Sequence, residues 1–266
     1  MKKTLRHYCL VISAVCAAAL SVPGQASEPL RLAVFEYPPF LSRHESGYGL
    51  EPAIVKAAFR QQDVAVEYTF LPPARALRMA RNGKFDGTLG WVYSKARAES
   101  FLYSDPFIRA PLVFFHLKEL AFNWQDYDDL EGMTVGTVID YHYGDQFHES
   151  LKTGAFKVES APQDILNLRK LLHERIDLTP INLHVGYYLI DKHFGPETRK
   201  QFTHHPRGLK TSMHHLLLPR SQEESAERIR TFNQGLQELR ESGEYQRILD
   251  RHLKHPRTQQ TGSQPP

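Results

Sequence analysis

The sequence predicts an α/β protein of two similar units, each a parallel sheet with crossover helices. Two observations carry this. A strand–helix–strand–helix–strand pattern runs from residue 30 to residue 92. It restarts at residue 133, about 100 residues further on, with no low-complexity linker between the two copies.

The first strand is "LRLAVF" (30–35), and it stops at "EYPPF" because two prolines cannot continue a ladder. "GLEPAIVKAAFRQ" reads as a helix with Ile54, Val55, Ala58 and Phe59 on one face. "VAVEYTF" (64–70) is a second strand. "PARALRMARNG" is a helix with prolines at its start and Gly83 at its end, and "KFDGTLGWV" is a third strand interrupted by glycines. In the second unit, "MTVGTVI" (133–139) is a strand, "DYHYGDQFHESLK" a loop and helix, and "FKVESA" a strand. "DILNLRKLLHE" is a periodic helix with Leu166, Leu168, Leu171 and Leu172 on its apolar side, followed by the strand "RIDLTPIN". "HHLLLPR" (214–220) adds a strand. Ser221 and Glu224 form a capping box for a long amphipathic helix to about Leu239; Gly243 closes it, and "EYQRILDRHL" is a last short helix. The tail, residues 255–266, has nothing to bury and is expected to be disordered.

The amino terminus is an export signal. Lys2, Lys3 and Arg6 precede an apolar run from Cys9 to Val22, then Pro23-Gly24 and the small-residue site Gly24-Gln25-Ala26. The run is short for a membrane span, and Val15 is too large for the residue before a lipidated cysteine. Residues 1–26 therefore read as a signal peptide, with a soluble periplasmic product starting at Ser27. Cys9 and Cys16 leave with it, so the mature chain has no disulfide or thiol chemistry. Removing three cations leaves 30 basic residues against 30 acidic ones, and nucleic acid loses its support as a partner.

In open α/β sheets, ligands bind at the carboxyl ends of strands. Here those ends are "EYPPF", "GWVYSKAR", "IDYHYG" and "TPIN", rich in aromatic and hydrogen-bonding side chains. "SKAR" places Lys95 and Arg97 in the first turn of a helix capped by Ser94, where the dipole repels cations. An anion seated there explains the arrangement. Histidine pairs at 204–205 and 214–215 point to opposite strand faces, and His142 and His148 are six apart, so no metal site is expected. No nucleophile elbow, phosphate loop or dinucleotide fingerprint occurs, and no cofactor is expected.

The ordered stretches "LRLAVFEYPPF", "GLEPAIVKAAF", "LRMARNGKFDGTLGW", "SKARAESFLYSDPF", "LEGMTVGTVIDYHYGDQF", "LLHERIDL" and "ESGEYQRILDRHL" resemble the family 3 bacterial extracellular solute-binding proteins. These are periplasmic receptors of polar amino-acid uptake. The resemblance implies a two-lobed, type II periplasmic-binding-protein-like fold. Lobe 1 would be residues 28–114 and 212–254, and lobe 2 residues 115–211, with a two-crossover hinge near "FFHLK" and "KTSMHH". It implies a monomeric receptor that closes on a small polar ligand and hands it to an inner-membrane ABC permease.

Carried over by position, Arg97 matches the arginine that grips a ligand carboxylate; the alternative is a surface pair with Glu99 or another acid. Tyr37 matches an aromatic cleft wall, or packs the "PPF" turn. Thr88, Gly90 and Trp91 fall at the family's strand-end hydroxyl and carbonyls, although the chain is one residue shorter there. Trp91 stacks on a ligand or is buried in lobe 1. Tyr141 and His142 fall at a lobe-2 helix start, and Arg75 at the cleft mouth. The family's lobe-2 acid for an amino group aligns with Asn182, which carries no charge, while Asp140 stands where many relatives have glycine. The alternative functions are a dehydratase of cyclic dienyl acids, with Glu36, Asp140 and His142 as acid candidates, or a sensor.

Overall fold

The computed structural model describes residues 28–139 and 141–253. Residues 1–27, which include the segment read as a signal peptide, Asp140 and the tail from residue 254 lie outside the described residues.

The chain runs β1 (Leu30–Val34), α1 (Leu50–Arg60), β2 (Val66–Phe70), α2 (Pro73–Arg81), β3 (Gly87–Val92), α3 (Lys95–Ala98), β4 (Phe101–Tyr103) and β5 (Ile108–Leu117). It continues through β6 (Thr134–Val138), α4 (Asp145–Lys152), β7 (Lys157–Ala161), α5 (Asp164–Leu172), β8 (Thr179–Asn182), α6 (Leu183–His193), α7 (Pro196–Arg199) and β9 (Phe202–His204). β10 (Lys210–Pro219), α8 (Ser225–Glu241) and α9 (Glu244–His252) complete it.

β1 pairs in parallel with β2 and β3, and β6 with β7, as the two-unit pattern requires. The surrounding strands are antiparallel, so the main sheet is mixed, in the order β2-β1-β3-β10-β5-β8. Two ten-residue strands connect the units. The first half of β5 pairs with β10, and its second half pairs with β8 and β9. The first unit therefore joins β10 through β3, and β8 and β9 join β5.

The helices bury the faces their periodicity dictates. On α1, Leu50, Ile54, Val55, Ala58 and Phe59 are fully buried. α8 crosses this helix so closely that a Cβ on Gly235 would lie 2.0 Å from the Ala58 carbonyl oxygen. Only a residue without a side chain permits the crossing, and Phe232 then packs on Phe59 at 5.4 Å between ring centroids. A second core, around Phe114, Trp124, Leu130, Phe147 and Phe156, fills the unit built on β6 and β7.

Four local expectations need correction. Ser221 and Glu224 do not form a capping box: α8 starts at Ser225, and the Ser225 hydroxyl donates back to the Pro219 carbonyl at 2.7 Å. Leu166 is not in the core; Ile165 packs there with Leu168 and Leu171 instead. α3 is a single turn, and the Ser94 side chain makes no cap bond. A helix of one turn has almost no dipole, so the anion argument from the helix start loses its force. Tyr141 and His142 precede α4 by several residues, in the loop after β6, because the helix starts only after Gly144.

Candidate functional site

The ends of β1 and β3 meet where Phe35 packs on Trp91, and those of β6 and β7 lie side by side. Tyr37 after β1 feels the charges of Tyr141 and Asp164 after β6 and β7. On the first unit the loop after β1 folds back, with Tyr37 bridged to Leu41 and stacked on Phe40 at 5.4 Å. Burial pushes the Tyr37 hydroxyl well above its ordinary value, helped by the charges of Tyr141, Asp164 and Glu51. β3 ends in Gly90 and Trp91. Gly90 has φ +84°, and a Cβ there would meet Leu41 Cδ1 at 2.6 Å and Glu51 Oε2 at 3.0 Å. Trp91 packs on Phe35 at 4.9 Å, and its indole N–H donates to the Thr88 hydroxyl at 2.9 Å. Thr88 itself is fully buried beneath it.

Arg97 lies over this tryptophan, with its guanidinium carbon 5.2 Å from the ring centroid. Its Nε donates to the Tyr103 hydroxyl at 3.3 Å and its Nη2 to the Val92 carbonyl at 2.6 Å. A guanidinium has five N–H donors, so these two bonds leave three, both on Nη1 and one on Nη2, uncommitted. Arg97 has no carboxylate partner among the described residues, Glu99 included. Lys95 and Arg75 are exposed, Arg75 in the first turn of α2, and neither is ion-paired among the described residues.

On the second unit, Tyr141 is 54% exposed at the rim. His142 is also exposed, with Nε2 3.3 Å from Asp145 and its ring 4.7 Å from that of His148, while its carbonyl accepts from Lys210 at 2.8 Å. Asn182 is occupied by local structure. Its side-chain oxygen accepts from the His184 and Val185 N–H groups at 2.9 and 3.3 Å, capping α6.

Glu36 is tied to Arg43 at 2.8 Å. Partial burial pushes its carboxyl up, but hydrogen bonds from Arg43 and Ser42 more than offset this and hold it below its ordinary value. That suits an ionised surface acid rather than a proton donor.

Two features escaped the sequence. Beneath Tyr37 and Phe40, His214 of β10 meets Glu51 of α1, with Nδ1 to Oε1 at 2.6 Å and both side chains buried. The other Glu51 oxygen has no hydrogen-bond partner among the described residues. The second is Asp164, at the first position of α5. It is partly buried, with no hydrogen bond or ion pair among the described residues, and burial pushes its carboxyl up to about 6. Acids in a first helical turn are commonplace; the available signal was that Asp164 follows a strand end, as the other cleft residues do.

This acid makes stability depend on pH. The unfolded carboxyl titrates near 3.8 and the folded one near 6. The native state binds the extra proton between these values, so stability falls as pH rises from about 4 to about 6. Two units are worth about 3 kcal/mol at most, and favourable contact with the helix start returns about 0.3–1 kcal/mol. Asp164→Asn should therefore stabilise the protein by about 1–2 kcal/mol at pH 7.5 and by nothing below pH 4. Melting curves across that range check it. Among the described residues, the hydroxyls that feel the Asp164 charge are those of Tyr37, Tyr141 and Tyr143, none of which titrates in this window.

To one side, a cavity of about 320 Å³ is lined from both units by Glu45, His184, Tyr188, Asp191, Lys192 and His252. The Tyr188 hydroxyl donates to Glu45 at 3.1 Å and receives from Lys192 at 3.0 Å, bridging the units.

Residues 30–255 match the model of the bacterial extracellular solute-binding proteins, family 3. The chain belongs to this family. Members of the family are extracellular binding proteins, and the fold is their two-lobed one. A similar solved structure is the second substrate-binding domain of a putative amino-acid ABC transporter from Streptococcus pneumoniae, 22% identical, with 84% of this chain and 99% of that one covered at a TM-score of 0.70. Substrate-binding domain 2 of Lactococcus lactis GlnP, in an open conformation, is 19% identical over 86% and 98%, at 0.71. A histidine kinase sensor domain is 19% identical over 86% and 97%, at 0.61. No curated protein sequence matches the chain. Among the described residues no helix is long and apolar enough to cross a membrane.

Proposed function

We propose that this family 3 protein is a periplasmic receptor that captures a small polar, carboxylate-bearing solute between its lobes for an ABC-type permease. The lobes are residues 28–114 with 212–254, and 115–211, and the signal peptide is residues 1–26. The observation that carries the reading is Arg97. Its guanidinium is fixed over Trp91 by two hydrogen bonds, keeps three free N–H groups on its outer nitrogens, and has no acid to neutralise it among the described residues. A planar fork held in one orientation is suited to a carboxylate. Tyr37, Trp91 and Tyr141 supply walls around it, with Arg75 and His142 at the rim and Thr88 and Asn182 supporting from below. The substrate-binding domains of the similar transporters favour an amino acid or a related acid.

The test is a thermal-shift screen of the purified mature protein against amino acids, organic acids and neutral sugars. Ligand at a hundred times its Kd stabilises by about 2.7 kcal/mol, a shift of several degrees. Carboxylates are expected to give it and sugars not. A response to sugars alone, or to none of the three classes, contradicts the reading.

A further inference from the structure

Arg97 sits just before a reversal of the chain, and the reversal returns a tyrosine to it. The Ser100 N–H donates to the Arg97 carbonyl at 3.0 Å, and β4 then runs back with Tyr103 opposite Leu217 of β10. The Tyr103 ring is half-buried against Ala80, Phe101 and Leu217. It meets the His215 ring edge-on at 5.5 Å and lies 5.1 Å from that of Tyr93. His215 is itself tied, with Nδ1 2.8 Å from the Ser104 carbonyl oxygen. Support from β4 and β10 gives the ring a fixed place.

The hydroxyl oxygen of this ring accepts from two donors, the Arg97 Nε and the Ser94 backbone N–H, each at 3.3 Å. Ser94 makes no cap bond with its own side chain, so the phenol holds both the start of α3 and the guanidinium that α3 carries. Contact with Trp91 sets the distance of the guanidinium from that ring, not its rotation. Two hydrogen bonds set the rotation, one from Nη2 to the Val92 carbonyl and one from Nε to Tyr103. Only the second depends on a side chain. A long cationic side chain loses much rotamer freedom when it is ordered, and ordering it beforehand spares that loss on binding.

We propose that Tyr103 is the positioning residue of the carboxylate site. It engages Nε, leaves the three free N–H groups on Nη1 and Nη2 for the solute, and sets the direction in which they point. It acts through Arg97 and touches no solute itself. The proposal rests on the carboxylate reading of Arg97.

The experiment is calorimetric titration of the mature protein with the common L-amino acids and short straight-chain carboxylic acids, each beside its primary amide. The proteins are wild type, Tyr103→Phe, Arg97→Ala and the double variant. Tyr103→Phe keeps the ring and its packing, and its melting curve checks that the fold is kept. It is expected to weaken the tightest-binding acid about tenfold and the matching amide by less than about threefold. In the Arg97→Ala background the same change should cost the acid less than about threefold. Equal weakening of acid and amide, or a loss as large without Arg97 as with it, shows a tyrosine that serves only the start of α3. Either result overturns the proposal and leaves the carboxylate reading standing. A second measurement needs no solute. In isotope-labelled protein the Arg97 Nε–H resonance, identified by its loss in Arg97→Ala, is expected to exchange slowly with water and to lose that protection in Tyr103→Phe. Unchanged exchange overturns the positioning whatever binds. If the protection is lost as expected but no acid binds the wild-type protein, the carboxylate reading falls and the proposal falls with it.

Discussion

Arg97→Ala is expected to weaken binding of the carboxylate solute by about 2–5 kcal/mol, roughly thirty- to several-thousand-fold. The substitution leaves a desolvated carboxylate unpaired between the lobes, and that penalty exceeds the net worth of the contact. Arg97→Lys should recover only part, because an ammonium cannot reproduce a planar fork, nor hold Tyr103 and Val92 while gripping a ligand. The fold should be affected modestly. Removing the guanidinium loses its contact with Trp91, worth about 0.5–1 kcal/mol at a site of this exposure. Relief of helix-dipole repulsion offsets little of this, since α3 is a single turn. Titration calorimetry beside melting of the unliganded protein separates the two effects. Unchanged affinity in Arg97→Ala would return the residue to a structural role on Trp91.

The buried pair of Glu51 and His214 gives the second large effect, on stability. Removing one partner strands the other away from water, and breaking a buried pair costs about 3–5 kcal/mol. His214→Ala leaves Glu51 with neither oxygen hydrogen-bonded, since Oε2 already lacks a partner. A loss of that size lowers the melting temperature by roughly 10 °C in a protein of this length. Replacing both residues together, as Glu51→Leu with His214→Leu, should cost much less than the two single changes summed, because no polar group remains unpaired. A double-mutant cycle by denaturant unfolding measures this. Additive losses would show that the two residues act separately. The position also bears on function: His214 lies on β10 where it pairs with Ile108 of β5, and its ring packs on Phe40 at 5.3 Å behind the Tyr37 loop.

The parallel βαβ units were legible because local signals and tertiary structure agree in them. The α1 face of Ile54, Val55, Ala58 and Phe59 is buried as its spacing demands, and prolines mark the end of β1 and the start of α2. Of the antiparallel strands, β8 and the second half of β10 were read as strands, whereas β4, β5 and β9 were not. β5 contains Pro111, which reads as a breaker but is accommodated opposite Thr211 of β10. The capping box at Ser221 failed because the chain completes a turn after β10 before the helix opens, and Ser225 takes the tie to Pro219. Leu166 fits the helical stripe in number but not in angle, since the face is set by β-strands that periodicity does not see. In the site, Arg97, Tyr37 and Tyr141 announce themselves as strand-end residues. Asp164 does not, because an acid in a first helical turn is unremarkable until its neighbours across the cleft are known. The Glu51–His214 pair joins residues 163 positions apart, a separation no local pattern reports.

The central claim is that the solute sits between the strand ends with its carboxylate on Arg97. A crystal structure of the mature protein with the ligand found by the screen tests it most directly. The account predicts a carboxylate within hydrogen-bond distance of the outer guanidinium nitrogens of Arg97, with the solute between Tyr37 and Tyr141. Density for the ligand in the side cavity of Glu45, Tyr188 and His252, with Arg97 still confined to Tyr103 and Val92, would contradict it.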